Sequence, residues 1–121
     1  MTVKQAQHPG ARVAIVTGAG TGLGRAYALE LARRGLRVVV NNRRRELDAQ
    51  GRGSADRVVE DIRAAGGEAI ADYEDVCDDG AGERLVRRAL DAFGRLDALV
   101  NNAGVDQHAP FHRIGLEEFR A

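Results

Sequence analysis

With 121 residues the chain can form one domain at most. Its 18 basic and 18 acidic side chains cancel, so it lacks the single-sign field of a nucleic-acid or membrane-surface binder, and neither is expected as a partner. A lone cysteine, Cys77, excludes an internal disulfide and suits a reducing compartment such as the cytoplasm, and no apolar run is long enough to suggest a membrane span.

Residues 1–11 are polar, lack the apolar core of a signal peptide and are expected to form a flexible tail. From residue 12 to residue 121 strands and helices are expected to alternate. Val13-Ala14-Ile15-Val16 marks a first strand over residues 12–17, and Ala26, Leu29, Leu31 and Ala32 among charged residues mark a first helix over 23–34. Gly35 stands where a helix-ending glycine belongs. Arg37-Val38-Val39-Val40-Asn41 reads as a central parallel strand, apolar on both faces. Residues 42–53 are polar and turn-like. Ser54 is then a candidate cap for a second helix with Val58, Val59, Ile62 and Ala65 on one face, ended by Gly66-Gly67. Residues 68–73 form a less apolar third strand, expected near a sheet edge.

Asp78 or Asp79 is expected to cap a third helix carrying Leu85, Val86, Ala89, Leu90 and Phe93, with Gly94 closing it. A fourth strand is expected over residues 96–101, an irregular stretch around Pro110, and the start of another helix over 116–121. Such alternation is the pattern of βαβ units. The fold class expected is α/β: a doubly wound, Rossmann-type parallel sheet of strand order 3-2-1-4, incomplete at its C-terminus.

The chemistry concentrates at four strand ends. After the first strand comes Thr17-Gly18-Ala19-Gly20-Thr21-Gly22-Leu23-Gly24. Strand, glycine turn and helix start follow without a gap, which suits an anion: the first N–H groups of a helix lack internal partners and its dipole favours negative charge. The spacing is neither G-x-G-x-x-G nor a P-loop; it is T-G-x-x-x-G-x-G, carried by Thr17, Gly18, Gly22 and Gly24. After the second strand comes Asn41-Asn42-Arg43-Arg44-Arg45. An acid there would bind the ribose hydroxyls of NAD, whereas a guanidinium pairs with the 2′-phosphate of NADP. Arg43 beside Asn42 therefore points to NADP as the preferred cofactor, with NAD second. Asp75-Val76 follows the third strand, and Asn101-Asn102-Ala103-Gly104 ends the fourth. Ala103 and Gly104 are small enough for a ribose to lie on the backbone, and the Asn101 amide can bond the neighbouring strand end near Thr17.

The glycine turn and the Asn-Asn-Ala-Gly stretch resemble those of the short-chain dehydrogenase/reductase family, a likeness that extends over nearly the whole chain. Gly24-Arg25-Ala26-Tyr27-Ala28 and Ala69-Ile70-Ala71-Asp72-Tyr73 look more narrowly like the (3R)-hydroxyacyl-CoA dehydrogenase domains of type 2 multifunctional enzymes. Those domains usually carry Asp where Asn42 stands and a glycine-rich loop in place of the arginines. The resemblance implies a dinucleotide held by Gly18, Thr21, Gly22, Leu23, Gly24, Asn42, Arg43, Asp75, Val76, Asn101, Ala103 and Gly104. The acid Asp75 would take the adenine amine and Val76 would pack on the ring. It further implies hydride exchange with a hydroxyl/ketone substrate, in a full-length enzyme that is a homo-oligomer, dimer or tetramer.

The family's catalysis uses a Ser and a Tyr-x-x-x-Lys pair, the lysine lowering the tyrosine pKa. Tyr27 is followed four residues on by Leu31 and Tyr73 by Cys77; Lys4, the only lysine, precedes both. No catalytic residue is therefore expected in this chain, which reads as the cofactor half of a longer enzyme, with apolar surface left bare around its fourth strand. The rival reading is a non-catalytic nucleotide-binding or interaction module on the same fold. His8, His108 and His112 do not form a metal-ligand set, and Cys77, with no histidine near it, is expected to be a small packing residue.

Overall fold

A computed structural model describes residues 10–43 and 46–103. Seven elements alternate: β1 (Val13–Val16), α1 (Gly22–Arg33), β2 (Arg37–Asn41), α2 (Ser54–Ala64), β3 (Ala69–Asp72), α3 (Ala81–Phe93) and β4 (Ala98–Val100). The strands form one parallel sheet in the order β3-β2-β1-β4, the order the sequence predicts. The tail over residues 1–9, the Pro110 region and the helix expected from residue 116 lie outside the described residues.

The central strands are β-branched because both faces are covered. Val16, Val38 and Val40 pack under α1 and α2, with Ala28, Ala32, Val58, Val59 and Ile62. Val13, Ile15 and Val39 pack under α3, with Leu85 and Ala89. Each valine or isoleucine buried in this way contributes about 1.5–3 kcal/mol. The alanines of α1 let its backbone lie close to the sheet. After α1 the chain turns with Gly35 N–H on Ala32 O at 2.9 Å and Leu36 N–H on Leu31 O at 3.1 Å, which satisfies the last carbonyls and aims it into β2. At the lower rim, Asp97 ties β4 to β1: its Oδ2 accepts the Val13 N–H at 2.8 Å, and its own N–H donates to Val13 O at 2.9 Å. Arg95 grips the same carboxylate at 2.6 and 2.9 Å.

Three details differ from the sequence reading. The cap of α2 is Gly53, and Ser54 is the first helical residue. Since Gly53 has no side chain to offer, the Tyr73 hydroxyl accepts the Asp56 N–H at 3.1 Å in its place, while the Asp56 carboxylate accepts the Gly53 N–H at 3.0 Å. The cap of α3 is Gly80, in a left-handed turn (φ 78°), not Asp78 or Asp79; the Asp78 N–H is spent on Asp75 O at 2.9 Å. Cys77 is exposed rather than packed, because it sits on the turn leading into α3.

On the α3 face, Leu99 of β4 is 60% exposed, and Val86 and Leu90 are 40% and 36% exposed. The α3 helix covers β1 and β2 and, among the described residues, no further helix lies on that face over β4. Among the described residues no helix is long and apolar enough to cross a membrane.

Candidate functional site

In a parallel sheet every strand delivers its chain to the same edge, so the four strand ends come together. The connections after β1, β2, β3 and β4 border one open cleft of about 940 Å³, at the upper end of the size range of small-molecule sites.

The β1–α1 turn is held from below by Thr17, which is 2% exposed. Its Oγ1 accepts the N–H groups of Asn102 and Ala103, both at 3.0 Å, and donates toward Asn101 Oδ1 at 3.3 Å. The Asn102 amide in turn donates to Gly18 O at 3.3 Å. One hydroxyl thus fastens the end of β4 to the glycine turn. The turn needs glycine for two separate reasons. Gly18 and Gly22 have φ of 61° and 58°, a left-handed backbone that side chains rarely adopt. Gly24 is glycine because of space: a Cβ there would lie 2.6 Å from Asn102 Nδ2 and run into Gly18 O. The start of α1 is thereby drawn close to the turn.

The end of β2 meets α2 through a hydrogen bond from Asn42 Nδ2 to Ser54 Oγ at 2.8 Å. Gly20 fits against this pair, since a Cβ on it would fall 2.8 Å from Ser54 Cβ and 2.9 Å from Asn42 Cγ. Arg43 is exposed on the cleft, and no hydrogen bond or ion pair holds its guanidinium among the described residues. Among the other charged residues on the cleft, Asp48, Arg57 and Glu74 are paired. The Asp48 carboxyl is held below its ordinary value chiefly by the Arg52 N–H, then by the Gln50 N–H and the Arg52 guanidinium. Arg57 reaches the same carboxylate at 3.5 Å. The Arg84 guanidinium likewise lowers the Glu74 carboxyl, through bonds of 2.7 and 3.0 Å.

After β3, Asp75 and Val76 both border the cleft, Asp75 half-buried and Val76 36% exposed. Asp75 Oδ1 accepts the Cys77 N–H at 2.9 Å, which fixes the carboxylate in the turn.

Of the residues singled out in the sequence, Gly18, Thr21, Asn42, Arg43, Asp75, Val76 and Ala103 border the cleft. Gly22, Leu23 and Gly24 form the start of α1 beside it, with Leu23 67% exposed. Asn101 is exposed and faces Thr17 Oγ1. Gly104 lies outside the described residues. The sequence reading passed over Gly20, Leu47, Ser54 and Asn102. Gly20 fell on a free position of the motif, and Ser54 was read as a cap. Only the fold brings a residue twelve positions beyond Asn42 back against it. Asn102 carried a signal, as the second asparagine of its pair.

Residues 12–121 match the short chain dehydrogenase family. The chain belongs to that family. It is 52% identical over 110 residues to the peroxisomal multifunctional enzyme type 2 of Mus musculus, covering 89% of this chain and 15% of that protein. It is 45% identical over 111 residues to a 3-oxoacyl-[acyl-carrier-protein] reductase of Synechocystis, covering 92% of this chain and 42% of the other. A crystal structure of a short chain dehydrogenase from Mycobacterium avium superposes with a TM-score of 0.77 at 44% identity, covering 91% of this chain and 40% of that one. The chain thus spans less than half the length of each of these short-chain dehydrogenase relatives.

Proposed function

We propose that the cleft binds NADP(H), with NAD(H) second, and that this chain is the cofactor-binding half of a short-chain oxidoreductase interconverting a hydroxyl and a ketone. The observation that carries the reading is the convergence of four strand ends on one cleft, with the glycine turn and the start of α1 packed tightly against the residues that border it. Cβ atoms at Gly20 and Gly24 would collide with the groups that build it. A helix N-terminus drawn up to such a cleft fits a diphosphate, which N–H groups bind at close range.

In this reading the turn from Gly18 through Thr21, Gly22, Leu23 and Gly24 holds the diphosphate. Asn42 takes the adenosine ribose, and Arg43 forms charge-assisted bonds to the 2′-phosphate. Its lack of a partner among the described residues supports that role, because a guanidinium already committed to a carboxylate would have to be released first. Asp75 accepts the adenine amine and Val76 packs on the ring. Asn101, Ala103 and Gly104 carry the nicotinamide-side ribose. When bound, the nicotinamide supplies the hydride. Proton transfer is assigned to groups other than Tyr27 and Tyr73, since neither tyrosine has a lysine four residues on. The names of two relatives, a 3-oxoacyl-[acyl-carrier-protein] reductase and an L-rhamnose 1-dehydrogenase, support a hydroxyl–carbonyl pair as the substrate. The assembly proposed is a homo-oligomer. The exposed free thiol of Cys77 is compatible with a reducing compartment such as the cytoplasm.

The test is the ratio of affinities for NADPH and NADH in the full-length protein, measured by calorimetry. NADPH is expected to bind more tightly, and Arg43→Ala to weaken NADPH about tenfold, the loss of one exposed charge-assisted contact, while sparing NADH. Equal affinities in the wild type, or an unchanged ratio in the variant, would overturn the NADP reading.

A further inference from the structure

Two large aliphatic side chains border the cleft, Val76 from the β3–α3 connection and Leu47 from the β2–α2 connection. Leu47 is 57% exposed. It precedes a turn closed by several bonds on Asp48. Asp48 Oδ1 accepts the N–H groups of Gln50 and Arg52, both at 2.9 Å, and Oδ2 accepts Arg52 Nε at 3.2 Å. The Asp48 N–H donates to Arg52 O at 2.8 Å, and the Gly51 N–H to Asp48 O at 3.0 Å. Arg57 of α2 ties the turn down through the same carboxylate at 3.5 Å. This leucine is therefore not on a loose strand of chain. It is set beside the cleft by a turn bonded along its length, with most of its side chain in water.

A purine ring has two apolar faces and a polar edge. In the dinucleotide reading, Asp75 meets the edge and Val76 one face, which leaves the second face without a wall. We infer that Leu47 is that wall, so that the adenine ring lies between Leu47 and Val76. This rests on the dinucleotide reading. It adds a binding residue from the connection after β2, in a segment where charged and polar residues otherwise dominate. An aliphatic side chain covers a ring face by hydrophobic contact alone and does not discriminate the 2′ position. Leu47 should therefore set affinity for the adenosine half of NADPH and NADH alike, whereas Arg43 sets the choice between them.

The experiment titrates the full-length protein with ADP-ribose, NADPH, NADH and reduced nicotinamide mononucleotide, which lacks the adenosine half. Leu47→Ala is expected to weaken ADP-ribose and both dinucleotides by roughly five- to tenfold, the loss of one apolar contact face, and to leave the mononucleotide unchanged. Leu47→Phe, which keeps a wall, should retain wild-type affinity. Because Leu47 is exposed, the melting temperature of both variants should equal that of the wild type, which separates a lost contact from a damaged fold. Unchanged ADP-ribose affinity in Leu47→Ala, or equal weakening of the mononucleotide, overturns the inference while leaving the dinucleotide reading intact. A wild-type protein that binds none of the four overturns both.

Discussion

Replacing Thr17 with valine keeps the shape of a buried side chain and removes one oxygen. That oxygen accepts two backbone N–H groups, from Asn102 and Ala103, each at 3.0 Å. Leaving a buried N–H against a methyl group costs about 1–3 kcal/mol. Both amides belong to half-buried residues, so water compensates in part, and about 2–3 kcal/mol for the pair is the expected loss. The hydroxyl proton adds little, since its acceptors stand at 3.3 and 3.4 Å. Urea unfolding of the full-length protein measures the loss directly. Thr17→Ser keeps the oxygen and should recover most of the stability. Dinucleotide affinity should fall with Thr17→Val, because the chain after β4 loses its two backbone bonds to position 17 and is left with the weaker tie of the Asn102 amide to Gly18 O. A valine variant within about 0.5 kcal/mol of wild type, the range of an inconsequential substitution, would refute the reasoning. So would a serine variant as unstable as the valine one.

Gly24→Ala places a methyl 2.6 Å from Asn102 Nδ2; it should cost about 1–3 kcal/mol by overpacking and weaken dinucleotide binding, and wild-type values in thermal melts and calorimetry would exclude the contact. Tyr73→Phe removes the acceptor of the Asp56 N–H and should destabilise the protein by about 1 kcal/mol in denaturant titrations, with no loss showing that the cap is dispensable. The Asp97 carboxyl is held below its ordinary 3.8 by the Arg95 guanidinium first and the Val13 N–H second. A group with a depressed folded pKa stabilises fully above the unfolded value and loses that contribution as the pH falls through the folded one. Asp97→Asn should accordingly flatten the acid limb of the stability curve below about pH 4, followed by circular dichroism; parallel acid limbs would remove Asp97 from the account.

The alternation of β-branched runs with amphipathic stretches made the sheet order and the helix positions readable, because a strand covered on both faces has no polar face to confuse the pattern. The glycine turn was readable for a related reason, as only backbone geometry or close approach demands so many glycines between a strand and a helix. Contacts between distant segments were not readable. Nothing local marks Tyr73 as the residue that completes the start of α2, or Gly20 as the neighbour of Ser54. Val86 and Leu90 have the spacing of packed residues, but periodicity reports that a helix has an apolar face and not how far its support extends. Cys77 failed for a similar reason, since its small apolar character says nothing of a turn that leaves it in water.

Gly53 has a φ of −81°, a conformation open to any residue. What bars a side chain there is the ring of Tyr73, whose Cζ would lie 2.8 Å from the added carbon. The two positions are therefore bound in their history. An alanine at 53 must push the ring aside while the tyrosine stands and is accommodated freely once a smaller residue replaces it, so a lineage crosses between the two states more easily in one order than in the other. Descendants that keep the tyrosine should keep the glycine, and those that have lost the ring are released from it.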